Sequence, residues 1–143
     1  MEKWLRIARV TLSTLAAWLS RLLGGWDTAL SMMFLMMVLD VLTGVLCALV
    51  KKSAKTASGG FESAAAFRGM TRKMLMIVIV MLANACDLML GSEVCRLASI
   101  GFYAANEGMS ILENAAALGV PIPKVIRKQL DGLSGEKEQK QDE

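Results

Sequence analysis

The stretch MMVLDVLTGVLCALVKK, Met36 to Lys52, places a carboxylate, Asp40, in the middle of an apolar run that ends in two lysines. Residues 29–50 are long enough to cross a bilayer: at about 1.5 Å each they span roughly 33 Å, against a hydrocarbon core of about 30 Å. A charged side chain in such a helix faces protein or water rather than lipid. The residues that share its side at helical spacing are Thr43, Gly44 and Cys47.

The composition favours a membrane protein without enzymatic activity. Of the 143 residues, 55% are hydrophobic, whereas soluble domains have about 45–50%, and the mean hydropathy is +0.48. Histidine, the commonest general base and metal ligand, is absent. The cysteines Cys47, Cys86 and Cys95 are too widely spaced for a zinc or redox motif. We therefore predict no catalytic residue, no metal and no cofactor.

The N-terminal segment, residues 1–28, is predicted to be a basic amphipathic helix followed by the turn GGWD, Gly24 to Asp27. A helix with tryptophan and arginine on an amphipathic frame tends to lie in the membrane interface. Arg6 and Arg9 fall on its polar side. If this helix crosses the membrane instead, it forms a fourth span.

The rest of the chain divides into a membrane domain, residues 29–120, and a charged cytoplasmic tail, residues 121–143, whose end is predicted to be disordered. Besides the first span, two more are expected, at residues 74–91 and 97–119, with a basic cytoplasmic loop at 51–73. The predicted fold class is thus an all-α integral membrane protein. It has three transmembrane helices plus the N-terminal amphipathic helix and is oligomeric.

Basic residues set the expected orientation, because short loops rich in lysine and arginine stay in the cytoplasm. The loop and the start of the tail are then both cytoplasmic. These cations are expected to contact anionic headgroups. The membrane-surface set is Arg6, Arg9, Lys51, Lys52, Lys55, Arg68, Arg72, Lys73, Lys124, Arg127 and Lys128.

Polar side chains also recur inside the second and third spans. The residues expected to line a water-filled path or an oligomer contact are Asp40, Thr43, Gly44, Asn84, Asp87, Tyr103, Asn106, Glu107, Ser110, Glu113 and Asn114. Because acids outnumber bases inside the predicted spans, we expect these groups to find water or other copies of the chain. The alternative is pairing within one subunit, with Arg21 or Arg96 as the cation.

Several motifs together resemble the toxin-secretion/phage-lysis holins. They are D-x-x-T-G at Asp40 to Gly44, F-R-G-M-x-R-K at Phe67 to Lys73, an aspartate late in the second span, and GGWD. The most specific is FYAANEGMSILENAAALGVPIPK, residues 102–124. The N-terminal helix departs from the family pattern, since its arginines make it more basic.

The resemblance implies a phage or prophage protein of the bacterial inner membrane that oligomerises and opens lesions for timed host lysis. Its implied partners are other copies of itself, the bilayer, a muralytic endolysin or a toxin, and an antiholin, with no nucleic acid. Two other functions stay open from the sequence. One is a small proton-coupled transporter that uses Asp40 and Glu107, and the other is a non-conducting, antiholin-like inhibitor.

Overall fold

The computed structural model describes residues 1–134, and all regular elements within that range are helices. The all-helical class predicted from the sequence is therefore confirmed. The expectation of a disordered tail end falls on residues 135–143, which lie outside the described residues. The helices are α1 (Glu2–Leu22), α2 (Thr28–Leu49), α3 (Ser63–Leu90), α4 (Val94–Ala117) and α5 (Lys124–Ser134).

The turn between α1 and α2 follows from the sequence GGWD. Gly24 and Gly25 have φ values of 80° and 96°, a region that glycine enters without steric cost. Asp27 is the N-cap of α2, and its carboxylate accepts a 2.8 Å hydrogen bond from the backbone N–H of Leu30. α1 ends here with no buried residue.

α4 is the central helix, because α2, α3 and α5 all pack against it. α2 and α4 run in parallel. Asp27, just before α2, binds Arg96 in the first turns of α4 at 2.6 Å, and the Cys47 thiol near the end of α2 donates to the Asn114 carbonyl oxygen at 3.2 Å. α3 runs antiparallel to both, since its last turns lie beside the start of α4. The core cluster is Leu23, Leu30, Met33, Met37, Met76, Val80 and Ile100.

α2 and α3 are long enough and apolar enough to cross a membrane, with mean hydropathies of 2.3 and 2.0. A core helix of a soluble protein is mostly buried, but only 22% and 33% of these two apolar windows are buried. Leu35, Val38 and Leu42 on α2 and Val78 and Leu82 on α3 are examples of apolar side chains that point outward. So large an exposed apolar surface is suited to lipid.

The loop between α2 and α3 is shorter than the sequence indicated. α3 begins at Ser63, so residues 63–73, predicted as part of the loop, are helical. Residues 63–73 are too polar to belong to the apolar span that follows them. They still form a helix, because alanine, methionine, arginine and lysine all favour helices. Hydropathy therefore marked the apolar part of α3 and missed its polar first turns.

A fifth helix replaces part of the predicted tail. α5 follows Pro121 and Pro123, and its Leu130 packs against Gly108 of α4, where an added Cβ would lie 3.0 Å from a leucine methyl carbon. Ile126 and Leu130 recur at a spacing of four, which places apolar side chains on one face of the helix. This short amphipathic pattern is stabilised by the contact with α4.

Candidate functional site

Four charged side chains meet between α2, α3, α4 and the loop that joins α2 to α3. They are Asp40 of α2, Lys55 of the loop, Lys73 of α3 and Glu107 of α4, and we call them the ion cluster. Two carboxylates and two ammonium groups make the cluster neutral overall. Such a grouping brings charge into a region that is otherwise apolar.

Lys73 is the centre of the ion cluster. Its Nζ donates to Asp40 Oδ2 at 3.0 Å and also to the Glu107 carboxylate. All three side chains are nearly buried, with exposed fractions of 11% for Lys73, 9% for Asp40 and 5% for Glu107. One ammonium group therefore joins α2, α3 and α4 at a single point.

The other oxygen of Asp40 is also satisfied. Oδ1 accepts from Lys55 Nζ at 3.1 Å and from Asn114 Nδ2 at 3.3 Å. The same Asn114 amide donates to Thr43 Oγ1 at 3.0 Å, and the threonine hydroxyl donates to the Leu39 carbonyl at 2.9 Å. Within residues 1–134, no buried side-chain nitrogen or oxygen lacks a hydrogen-bond partner.

The energetics of this arrangement are asymmetric. Taking charges out of water is costly, and a close partner recovers much of that cost. Removing one partner leaves an uncompensated buried charge, which destabilises a protein by about 3–5 kcal/mol. The ion cluster is thus a point where the packing of three helices depends on the presence of each charge.

The structure brings together four of the residues singled out from the sequence: Asp40, Thr43, Glu107 and Asn114. Gly44 lies beside them, where an added Cβ would be 3.8 Å from Asn114 Nδ2. These groups pair within one chain. The expected intrachain cations, Arg21 and Arg96, are wrong, because the partners are Lys73 and Lys55.

Lys73 is the member that sequence reasoning misplaced. It was assigned to a surface loop, but the structure buries it on α3. Its spacing could have revealed this position, since Lys73, Met76, Val80 and Asp87 follow one helical face and all are buried. The excess of acids over bases inside the predicted spans did not indicate pairing within the chain, because Lys73 lay just outside the predicted second span.

Asp87 and Asn84 serve a different end of the molecule. The Asp87 carboxylate accepts from the Ser92 hydroxyl at 2.5 Å and from the backbone N–H groups of Cys95 and Arg96 at 3.0 and 2.7 Å. Those N–H groups belong to the first turn of α4 and have no partner within the helix. Asn84 Nδ2 donates to the Leu22 carbonyl at 2.9 Å. Both side chains therefore hold helix ends together.

Arg96 completes this end. Its Nε donates to the Leu23 carbonyl at 2.5 Å, and its Nη1 donates to Asp27 Oδ2 at 2.6 Å. The hydrogen bond from Arg96 holds the pKa of Asp27 below its ordinary value, and the backbone N–H of Leu30 acts in the same direction. The guanidinium thereby ties the turn before α2 to the start of α4.

The remaining polar residues of α4 lie away from the ion cluster. Asn106 and Glu113 are exposed, and neither side chain has a hydrogen-bond or ion-pair partner among residues 1–134. Tyr103 and Ser110 are partly buried. The basic residues that the structure leaves exposed are Arg6, Arg9, Lys51, Lys52, Arg68, Arg72, Lys124, Arg127 and Lys128, and Lys55 has a side chain that is 51% exposed.

Comparison with known proteins gives a consistent answer. The model of the bacteriophage holin family matches residues 17–135. A probable holin of Bacillus phage phi105 is 38% identical over 112 residues, which cover 78% of each chain. A 14.9 kDa protein in the nagH 3' region of Clostridium perfringens is 38% identical over 130 residues, or 90% of this chain and 91% of that protein. No solved structure matches.

The match covers most of the chain and includes all of the elements that form the ion cluster. It confirms the resemblance seen in the motifs of the three apolar segments. Holins are membrane-permeabilising proteins rather than enzymes, which agrees with the two apolar helices. This chain belongs to the bacteriophage holin family.

Proposed function

We propose that this protein is a phage or prophage holin that oligomerises in the bacterial inner membrane. It opens lesions there that release an endolysin or a toxin at a set time. The family match supports the holin role. The observation that carries the mechanism is the ion cluster, in which buried charges are paired inside one chain while the outer faces are apolar.

The proposed topology has three spans, α2, α3 and α4. α4 carries more polar groups than α2 and α3. We assign it as a span because it runs beside α2, in the same direction, from one end of that helix to the other. The loop after α2 and the start of α5 then lie on one side, and both are basic, which favours the cytoplasm. α1 lies on the opposite membrane surface, and the C-terminus is cytoplasmic.

The described fold corresponds to a closed form. Asp40 and Glu107 need no second chain here, because Lys73 and Lys55 neutralise them. Opening requires these groups to exchange their partners for water or for polar groups of neighbouring copies. The ion cluster therefore acts as a latch that resists opening until enough chains have accumulated.

Exposed polar groups on α4 provide the contacts between copies. Asn106 and Glu113 are exposed on this helix, and a polar group that faces lipid gains from pairing across helices. Asp87 and Asn84, by contrast, act within the chain. Apart from Tyr103 and Ser110, the pore and oligomer residues proposed from the sequence thus fall into three groups: the ion cluster with its neighbours, the residues that hold helix ends together, and the exposed contact residues of α4.

The test is induced expression in bacteria that hold a cytosolic reporter enzyme, with membrane potential and reporter release followed together. Abrupt collapse of the potential after a lag, with release of the whole reporter, supports the proposal. Depolarisation without release indicates small pores or ion transport. A healthy culture with the protein verified in the membrane indicates an antiholin-like inhibitor.

A further inference from the structure

α5 runs back along the last turns of α4 rather than away from the bundle. It packs beside α4, and its Leu130 packs against Gly108, nine residues before the last residue of that helix, Ala117. Nine residues of an α-helix rise about 13.5 Å. In the proposed topology, α5 therefore lies beside a membrane-spanning helix, well below the cytoplasmic end of that helix.

α5 carries a net positive charge. Of its four charged residues, three are cations and one, Asp131, is an acid, which gives a net charge of +2. The cations are exposed, and none of their side chains has a hydrogen-bond or ion-pair partner in the part of the chain that the structure describes. They are Lys124, Arg127 and Lys128. One flank of α4 is therefore covered by a cationic helix.

α4 carries an unpaired acid on the side away from α5. Glu113 is exposed, and its side chain has no partner within residues 1–134. At about 100° per residue it lies about 140° around α4 from Gly108, where α5 packs. Along α4, Glu113 is about 7.5 Å beyond Gly108 toward the cytoplasmic end. In the same direction along α5, Arg127 and Lys124 are about 4.5 Å and 9 Å from Leu130. The acid and the cations thus lie at one depth, on nearly opposite sides of α4.

An apolar surface of α2 lies at the same depth. The amide of Asn114, next to Glu113, donates to Thr43 of α2 at 3.0 Å. Leu42 and Leu46, which flank Thr43, are 54% and 53% exposed. In the proposed topology these leucines face lipid, so Glu113 and the cations of α5 lie at a depth where a charged side chain needs a polar partner.

We infer that Glu113 of one copy pairs with the cations of α5 in the next copy. Because the two surfaces lie on nearly opposite sides of α4, each copy offers an acid to one neighbour and cations to the other. Head-to-tail contacts of this kind repeat, and they form a ring when the rotation between copies closes. The inference rests on the membrane insertion and self-association of the proposed function, and it names the two surfaces that meet.

The competing cations at this end of the molecule are Arg68 and Arg72, which are exposed on the first turns of α3. With Glu62, the residue before that helix, they give residues 62–72 a net charge of +1. The net charge of α5 is +2, so charge complementarity with Glu113 favours α5. The lysines that follow the end of α2 lie about two helical turns farther out.

The experiment uses the full chain in vesicles of phosphatidylglycerol and phosphatidylethanolamine. Asn106→benzoylphenylalanine places a photoactivatable group at an exposed position, about two turns from Glu113 on the same side of α4. Chains labelled with light and heavy nitrogen are mixed in equal amounts before reconstitution. Mass spectrometry then separates cross-links between copies from those within one copy, and circular dichroism verifies that each variant keeps its helicity.

We expect cross-links from position 106 to residues 124–134 of a second copy. Glu113→Lys should lower their yield about tenfold, because like charges then face each other. Lys124→Glu with Lys128→Glu should lower it as well, and all three substitutions together should restore it. The matched control is Arg68→Glu with Arg72→Glu, which should neither lower the yield nor restore it in Glu113→Lys.

Other outcomes overturn the inference. An unchanged yield in Glu113→Lys means that the acid makes no such contact, and restoration by the α3 pair assigns the contact to α3. Cross-links to α4 of a second copy mean that like faces meet, and cross-links to lipid alone mean that lipid covers this face. Cross-linking is read without lysis. Cross-links without reporter release refute lesion formation alone, whereas reporter release without these cross-links refutes this contact alone.

Discussion

The most informative perturbation is Lys73→Met, which keeps the length of the side chain and removes its charge. Asp40 would keep Lys55, but Glu107 would lose its ion-pair partner within residues 1–134. Glu107 is only 5% exposed at its side chain, so the variant should lose about 3–5 kcal/mol of stability. The matched control is Lys52→Met, because Lys52 is exposed and its side chain forms no ion pair with any of residues 1–134.

Stability can be measured by unfolding the purified variants in mild detergent, with helicity followed by circular dichroism. In cells, Lys73→Met should also shorten the lag before reporter release when membrane levels are matched by immunoblotting. A double variant, Lys73→Met with Glu107→Met, should recover most of the lost stability, since a buried ion pair can be replaced by apolar side chains at little cost.

Equal stability of Lys73→Met and Lys52→Met would refute the description of the ion cluster as a buried network. Lower stability with an unchanged or longer lag would refute its role as a latch while leaving the geometry intact. The double variant tests the charge itself, because a failure to recover would assign the loss to packing rather than to the unpaired carboxylate.

Three further predictions follow from the other contacts. Asn114→Ala removes the amide that donates to the buried carboxylate of Asp40 and to the partly buried hydroxyl of Thr43, and should cost about 1–3 kcal/mol. Asn106→Ala, at an exposed position, should change the free energy of unfolding little. Gly108→Leu should displace α5 from α4, seen as faster proteolysis of α5, while Gly101→Leu should not. Asp27 has a pKa below its ordinary 3.8, so its stabilising effect should be complete above pH 3.8 and disappear as the pH falls through the lowered value. The stability difference from Asp27→Asn should accordingly shrink in acid, and a difference independent of pH would contradict this.

Much of the architecture could be predicted from local patterns. The glycines of GGWD, the apolar run around Asp40 and the length of α2 are local properties, and the structure agrees with them. The start of α3 and the existence of α5 were missed for one reason. Hydropathy averages polarity over a window, so it cannot locate helical turns that are polar or a short helix that is stabilised by a neighbour.

The sequence by itself determined that the protein is helical, that its surface suits lipid, and that Asp40, Glu107 and Asn114 must find polar partners. Only the tertiary structure decided which partners those are. An ion pair needs its atoms within about 4 Å, and that depends on how α2, α3 and α4 are rotated and shifted against one another. Lys73 contacts two carboxylates because α2, α3 and α4 place these three side chains at the same height in the bundle, facing one another. The residue spacing within one helix does not determine how that helix is positioned against the others.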